Sequence, residues 1–240
     1  MKLLRTNPEI STLFAGQLCR KATQCAITIA IAFALVFSFS TPALADVRKN
    51  DIVMGQSMSD RGLKATFCPS VESNYVYLVD ENGTVYFERS ADTPVQIASV
   101  TKIMTAIIAR EHASTDTEIV VSSNAATVGE SSAGLRTGDV LSLDDALKGL
   151  MVPSGNDAAI AIAECVGKTI YEQAKSAGET LKDASGNDIQ GDDNNTYLAA
   201  FVSTMNAKAQ ELGCTDSVFE NPHGLDNHQF AGNLHSTAED

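Results

Sequence analysis

The sequence predicts an α+β fold in which an antiparallel sheet carries a helical subdomain. Two β-rich runs, Asn74–Asp80 and Thr84–Arg89, flank a Glu81-Asn82-Gly83 turn. Asn-Gly between such runs signals a hairpin. Apolar residues Val100, Ile103, Met104, Ile107 and Ile108 then recur at helical spacing within Ile97–His112, which predicts a buried helix. From Ser142 onward the chain reads mostly as helices joined by loops. A sheet of two or three strands is thin for that many helices, so further strands are expected later than Asp240.

The chain has 240 residues, 44% hydrophobic and 20% charged, enough for one sizeable core or two small domains. Its net charge is -13, the opposite of what neutralises phosphates. It has no Trp and only 6% aromatic residues, a poor base-stacking surface. Nucleic acid is therefore excluded as a partner.

Residues 1–45 read as a secretory signal peptide. Lys2, Arg5, Arg20 and Lys21 form a basic leader. An apolar run from Ala26 to Phe39 follows, broken only by Thr28 and Ser38. Thr41-Pro42-Ala43-Leu44-Ala45 ends in a small-x-small cleavage pattern. The alternative is an uncleaved anchor, but the run is shorter than the roughly 20 residues of a spanning helix. Cleavage after Ala45 places the protein outside the cytoplasm and removes four basic residues against one acidic, leaving a more acidic chain.

Residues 46–73 read as an extended arm, and residues 74–240 as a single domain. Within it, Glu118–Val121 is a short strand and Gly129–Gly138 a Ser/Gly-rich loop. Ser142-Leu143-Asp144-Asp145 opens a helix to Met151 as a capping box. Pro153-Ser154-Gly155-Asn156 breaks the chain before an Ala-rich helix, Asp157–Val166. Ser176–Asn195 reads as a solvated insertion. Asp183, Ser185 and Asn187 alternate there as calcium ligands do, but Asp188 and Asn194 stand where an EF-hand needs Gly and Glu. Tyr197–Leu212 is a helix stopped by Gly213. Outside the leader, Cys68, Cys165 and Cys214 make an odd set, compatible with small buried hydrophobes or with one disulfide.

The chemistry centres on Ser99-Val100-Thr101-Lys102. Ser and Lys three apart on a helix share a face, so the ammonium reaches the hydroxyl. A Ser at a helix start also has backbone N–H groups and the positive dipole end beside it. A desolvated Lys gives up its proton more readily and serves as a base. Taken alone the pair also fits an N-cap and a solvated Lys. Ser154-Gly155-Asn156, on a loop about fifty residues later, adds a second hydroxyl and an amide that both donates and accepts.

Ile97-Ala98-Ser99-Val100-Thr101-Lys102-Ile103-Met104-Thr105-Ala106 and Pro153-Ser154-Gly155-Asn156-Asp157-Ala158-Ala159 resemble the first two active-site motifs of the serine D-alanyl-D-alanine carboxypeptidases, the low-molecular-mass penicillin-binding proteins. The likeness continues through Met205-Asn206, Leu212-Gly213, the segment from Phe219 to Leu225 and the segment from His235 to Asp240. The resemblance implies a β-lactamase/transpeptidase-like fold. It implies Ser99 as acyl-enzyme nucleophile, Lys102 as general base, Ser154 as proton relay with Lys102, and Asn156 as the group that binds the substrate carbonyl and helps hold Lys102. The implied substrate is a peptidoglycan stem pentapeptide, with β-lactams as mimics and neither metal nor organic cofactor required.

The third family motif, Lys-Thr-Gly on a strand, is absent, and Gly167-Lys168-Thr169 has the wrong order and position. A chain ending at Asp240 is thus expected to be truncated, incomplete in its later sheet strands and inactive by itself. A membrane-associating segment after Asp240 is a further expectation. Two other readings stay open: a serine β-lactamase, with Glu220 as a deacylating base, and a non-catalytic β-lactam-sensing or wall-binding module.

Overall fold

The computed structural model describes residues 51–62, 71–226 and 233–240. The leader expected over residues 1–45 and Cys68 lie outside them. The chain divides into two units: residues up to Glu72 with Leu78–Arg89, and Ser73–Tyr77 with Ser90–Asp240.

Four strands form the first sheet: β1 (Ile52–Val53), β2 (Gln56–Ser57), β3 (Val76–Val79) and β4 (Val85–Arg89). Their order is β2-β1-β4-β3, and β1 pairs antiparallel with both β2 and β4. The expected extended arm therefore contains a hairpin. Met54 (φ 52°) and Gly55 (φ 74°) turn it, both at the positive φ that a two-residue type I′ turn requires. Methionine is not a turn-forming residue, which hid the hairpin in the sequence. The expected Asn-Gly turn is present, with Asp80 Oδ1 accepting from the N–H groups of Asn82 and Thr84 at 2.9 Å. Asp51 and Arg89 make a buried ion pair at 2.8 Å that ties β1 to β4.

The second unit is mainly helical. A 3-10 turn (Ala98–Val100) leads into α1 (Thr101–His112). Then come β5 (Glu118–Val120), α2 (Ser123–Thr127), β6 (Val140–Ser142), α3 (Leu143–Met151), α4 (Asn156–Ala177) and α5 (Asn194–Leu212). Strands β5 and β6 pair antiparallel. Helix α4 is central: it packs on α1, α2, α3 and α5, and Ala158, Ala159, Ala161 and Ala163 are fully buried. Small residues let neighbouring helices approach, and Gly167 shows the limit, since a Cβ there would meet Tyr197 O at 2.1 Å. Ile108, Leu143, Leu150, Ile162, Phe201 and Met205 fill the surrounding core.

Three expectations change. Helix α4 runs past Val166 to Ala177, because Ile170 extends its buried stripe until Gly178 (φ 76°) closes it with a left-handed cap. Neither α2 nor β6 was expected; both are short, and β6 exists only as the partner of β5. The helix expected to be buried from Ile97 begins at Thr101, and Val100 and Ile103 are 58% and 53% exposed. Its inward face instead carries Thr101, Lys102, Met104, Thr105, Ile108 and Ala109.

Residues 179–193 join α4 to α5. There Asp183 accepts the N–H groups of Ser185 and Asn187 at 2.9 Å, so the alternating residues close on themselves as a turn. Among the described residues no helix is long and apolar enough to cross a membrane.

Candidate active site

Ser99 is exposed in the 3-10 turn, one step before α1. Lys102 lies on the inward face of α1 and is 2% exposed. Its Nζ donates to Ser99 Oγ at 3.1 Å and to the carbonyl oxygen of His223 at 2.8 Å. No carboxylate bonds to it among the described residues. Burial lowers its pKa from 10.5 to about 8, because removal from water disfavours the ammonium.

The segment Asn221-Pro222-His223-Gly224-Leu225 forms the other wall of this pair. Asn221 Oδ1 accepts from the N–H groups of His223 and Gly224 at 3.2 and 2.6 Å, and Asn221 Nδ2 donates to Leu225 O at 3.0 Å. The folded segment turns its carbonyls toward α1: Thr105 Oγ1 donates to Pro222 O at 2.6 Å, beside the Lys102 contact. Gly224 has φ 84°, and a Cβ there would lie 1.9 Å from Ala98 O. Glycine is needed both for the turn and for this approach. His223 is fully buried, and its Nδ1 accepts from Leu225 N–H at 3.0 Å. Burial, then the charge of Lys102, lowers its pKa to about 3, so the ring is neutral. No functional role was assigned to Asn221, His223 or Gly224 from the sequence, although the segment carried part of the resemblance.

Ser154 and Asn156 sit where the loop after α3 enters α4. Ser154 has φ 58°, a left-handed conformation that costs a non-glycine residue about 1–3 kcal/mol. Asn156 is 1% exposed. Its Nδ2 donates to Gly129 O at 3.1 Å, its backbone N–H to Ser131 O at 2.8 Å, and its Oδ1 has no hydrogen-bond partner among the described residues. Helix α4 packs on α1, but no hydrogen bond joins Ser154 or Asn156 to Ser99 or Lys102 among the described residues. The site is thus a bonded Ser99–Lys102 pair and a separately braced Ser154–Asn156 loop.

Other candidates fall elsewhere. Gly167-Lys168-Thr169 lies inside α4, where Lys168 pairs with Glu172 at 3.8 Å on the surface. Glu220 lines an open cleft of about 370 Å³ with Asp183, Ser185, Leu198, Val202 and Ser203. It makes no hydrogen bond or ion pair with Ser99 or Lys102. Cys165 and Cys214 are free thiols packed against the core.

The family model described as D-alanyl-D-alanine carboxypeptidase matches residues 63–171 and 192–240, leaving 172–191 between the two stretches. The chain is 32% identical over 184 residues to D-alanyl-D-alanine carboxypeptidase DacC of Escherichia coli, covering 72% of this chain and 38% of that protein. It is 29% identical over 155 residues to D-alanyl-D-alanine carboxypeptidase DacF of Bacillus subtilis, covering 62% and 33%. The crystal structure of D-alanyl-D-alanine carboxypeptidase DacD from Francisella tularensis matches with a TM-score of 0.53 and 31% identity, over 71% of this chain and 35% of that one. A Streptomyces DD-transpeptidase matches with a TM-score of 0.56 and 26% identity, over 71% and 58%. The chain spans between a third and two fifths of the length of these two curated relatives. With most of its length accounted for by the family model, the chain belongs to the D-alanyl-D-alanine carboxypeptidase family.

Proposed function

We propose that the protein is a serine-type D-Ala-D-Ala carboxypeptidase that removes the terminal D-Ala from peptidoglycan stem peptides and is acylated by β-lactams. The observation that carries this is the buried Lys102, its pKa lowered to about 8, 3.1 Å from the exposed Ser99 hydroxyl. Neutral lysine has two N–H groups and one lone pair. An N–H stays on His223 O while the lone pair takes the Ser99 hydroxyl proton. Ser99 Oγ then bonds to the carbonyl carbon of the penultimate D-Ala. The C–N bond breaks, and Ser154 passes the proton to the leaving amine. Water hydrolyses the ester and restores Ser99. Asn156 holds the substrate's peptide carbonyl through its amide. The leader over residues 1–45 supports an extracytoplasmic location, where such substrates lie.

The test uses the full-length protein. A fluorescent penicillin should label it at Ser99, and a peptide ending in D-Ala-D-Ala should lose its terminal D-Ala. Labelling that persists in Ser99→Ala removes Ser99 as nucleophile. Penicillin turnover within seconds, with no D-Ala release, would assign the site to a β-lactamase instead.

A further inference from the structure

Asp157 follows the Ser154–Asn156 loop and takes no part in the steps above. It is 2% exposed. Its carboxylate accepts from Ser132 Oγ at 2.6 Å, Ala133 N–H at 2.9 Å, Leu135 N–H at 3.0 Å and Ala158 N–H at 2.8 Å. Three of these donors belong to one short segment, 132–135. Burial alone would raise the carboxyl's pKa, but these hydrogen bonds outweigh it and hold the group ionised below its usual range.

The same loop holds Asn156 in return. Gly129 O takes the Asn156 Nδ2–H and Ser131 O takes its backbone N–H. Glu130, between those two carbonyls, has φ 58°, a conformation that persists only where surroundings impose it. Gly155 is enclosed by the junction: a Cβ would lie 2.7 Å from Asp157 Oδ1 and 2.9 Å from Ala133 N. With its N–H and Nδ2 both tied, the Asn156 side chain has one orientation, and its Oδ1 remains as a buried acceptor without a partner among the described residues.

We infer that Asp157 is a positioning residue for the reaction: by clamping residues 132–135 it fixes the Gly129 and Ser131 carbonyls that hold the Asn156 side-chain amide and backbone N–H, and so aims the second Nδ2–H of Asn156 at the substrate carbonyl. The catalytic part of this rests on the proposed role of Asn156 at the substrate. A purely structural Asp157 would serve only the first turn of α4 through Ala158, and its loss would leave Asn156 undisturbed.

The test is Asp157→Asn in the full-length protein. Asparagine keeps the shape but offers N–H groups where one oxygen accepted, so the bonds on that oxygen are lost. Amide exchange at Asn156 and at Ala133–Leu135 should quicken by about tenfold or more, the scale of losing one charge-assisted hydrogen bond. Acylation by a fluorescent penicillin should slow about ten- to hundredfold, the cost of misplacing a positioned group. That loss should fall on the chemical step more than on the non-covalent affinity. Ser132→Ala removes a single donor and should move both readouts the same way by less; it decides the matter if Asp157→Asn does not fold. Exchange at Asn156 within about twofold of the parent, well below the loss of one such bond, overturns the inference. If the parent is never acylated, the proposed function fails, and the exchange comparison still decides what Asp157 holds.

Discussion

The two segments that supply the candidate site are braced by opposite kinds of group. Ser99–Lys102 is held by neutral backbone: His223 O on Lys102, Pro222 O on Thr105, and Gly224 against Ala98. Ser154–Asn156 is held by an anion, the Asp157 carboxylate, through the 129–135 loop. Each segment carries a non-glycine residue at positive φ, Ala98 at 45° and Ser154 at 58°, so each needs bracing. What differs is the charge beside the reacting group. A carboxylate touching Lys102 would stabilise its ammonium and raise its pKa. A carbonyl fixes Nζ with no full opposing charge, and burial is left to lower the pKa to about 8. Asn156 has no protonation state to protect, so an ionic clamp next to it costs the chemistry nothing.

The sharpest break of this contrast is Lys102→Arg, which keeps the charge and removes the titration. Acylation should fall by at least about 10²-fold, the low end of general-base contributions. In the parent, acylation should rise with pH and level off above about 8, as Lys102 loses its proton. The sign is the same for stability: between about 8 and the ordinary lysine range the unfolded chain holds the proton that folded Lys102 has released, so Lys102 opposes folding less as pH rises. A flat acylation profile from pH 6 to 9 would mean that Lys102 acts only as a fixed charge.

Gly224→Ala attacks the backbone brace. The new Cβ meets Ala98 O at 1.9 Å, and the residue is held at φ 84°. The left-handed backbone alone costs about 1–2 kcal/mol, and relieving the clash moves the turn that bears Ser99. Urea unfolding should show a loss of at least about 2 kcal/mol, with slower acylation in the protein that remains folded. Unchanged stability and acylation would show that the 221–225 segment is not what holds Ser99.

How much of this was legible in the sequence follows the same division. The Ser99–Lys102 contact was readable, because three residues along one turn bring side chains together. Its second half was not: His223 lies 121 residues further on and contributes a carbonyl, which every residue has. Val100 and Ile103 count toward a buried stripe in any periodic pattern, yet they face outward while Thr101, Lys102 and Thr105 face in. Periodicity identifies a face, not which face the fold covers: Lys102 and Thr105 turn inward onto the carbonyls of His223 and Pro222, while the buried Thr101 hydroxyl has no hydrogen-bond partner among the described residues. The α+β class and the Asn82-Gly83 hairpin were readable from local chemistry. The Met54-Gly55 turn and β6 were not, since each is two or three residues long and made by its partner. Asp157 lies within the Pro153–Ala159 motif, but three of its four donors are backbone N–H groups, which have no signature in sequence.

His223 offers a test on the acid side. Its folded pKa of about 3 lies below the ordinary 6.5, through burial first and the Lys102 charge second. As pH falls below about 6.5 the unfolded chain takes up a proton that the folded one refuses. Stability should therefore drop from about pH 6.5 downward, by about 2 kcal/mol at pH 5, and His223→Asn should flatten that slope. Urea midpoints at pH 7 and 5 measure it. Equal slopes in both proteins would place the acid sensitivity elsewhere.

The smallest effect belongs to a residue that stabilises the route to the Ser154 loop without touching either brace. Ser142 caps α3, its Oγ accepting from Asp145 N–H at 3.1 Å, with Asp144 and Asp145 in the first turn and both paired to Lys148 at 2.9 and 2.8 Å. Those pairs are exposed and contribute little, so the cap is the main local device at this helix end. Ser142→Ala should lower stability by about 1 kcal/mol. Helix α3 leads into Ser154, but the position of the loop is set further on, by Ser131 O, Gly129 O and Asp157. Acylation of Ser142→Ala should therefore stay within about twofold of the parent, less than the tenfold that 1.4 kcal/mol would represent. A larger loss of acylation at the same fall in stability would mean that the Ser154 loop is positioned from the α3 side, and the contrast between a backbone brace and a carboxylate brace would have to be redrawn around that helix.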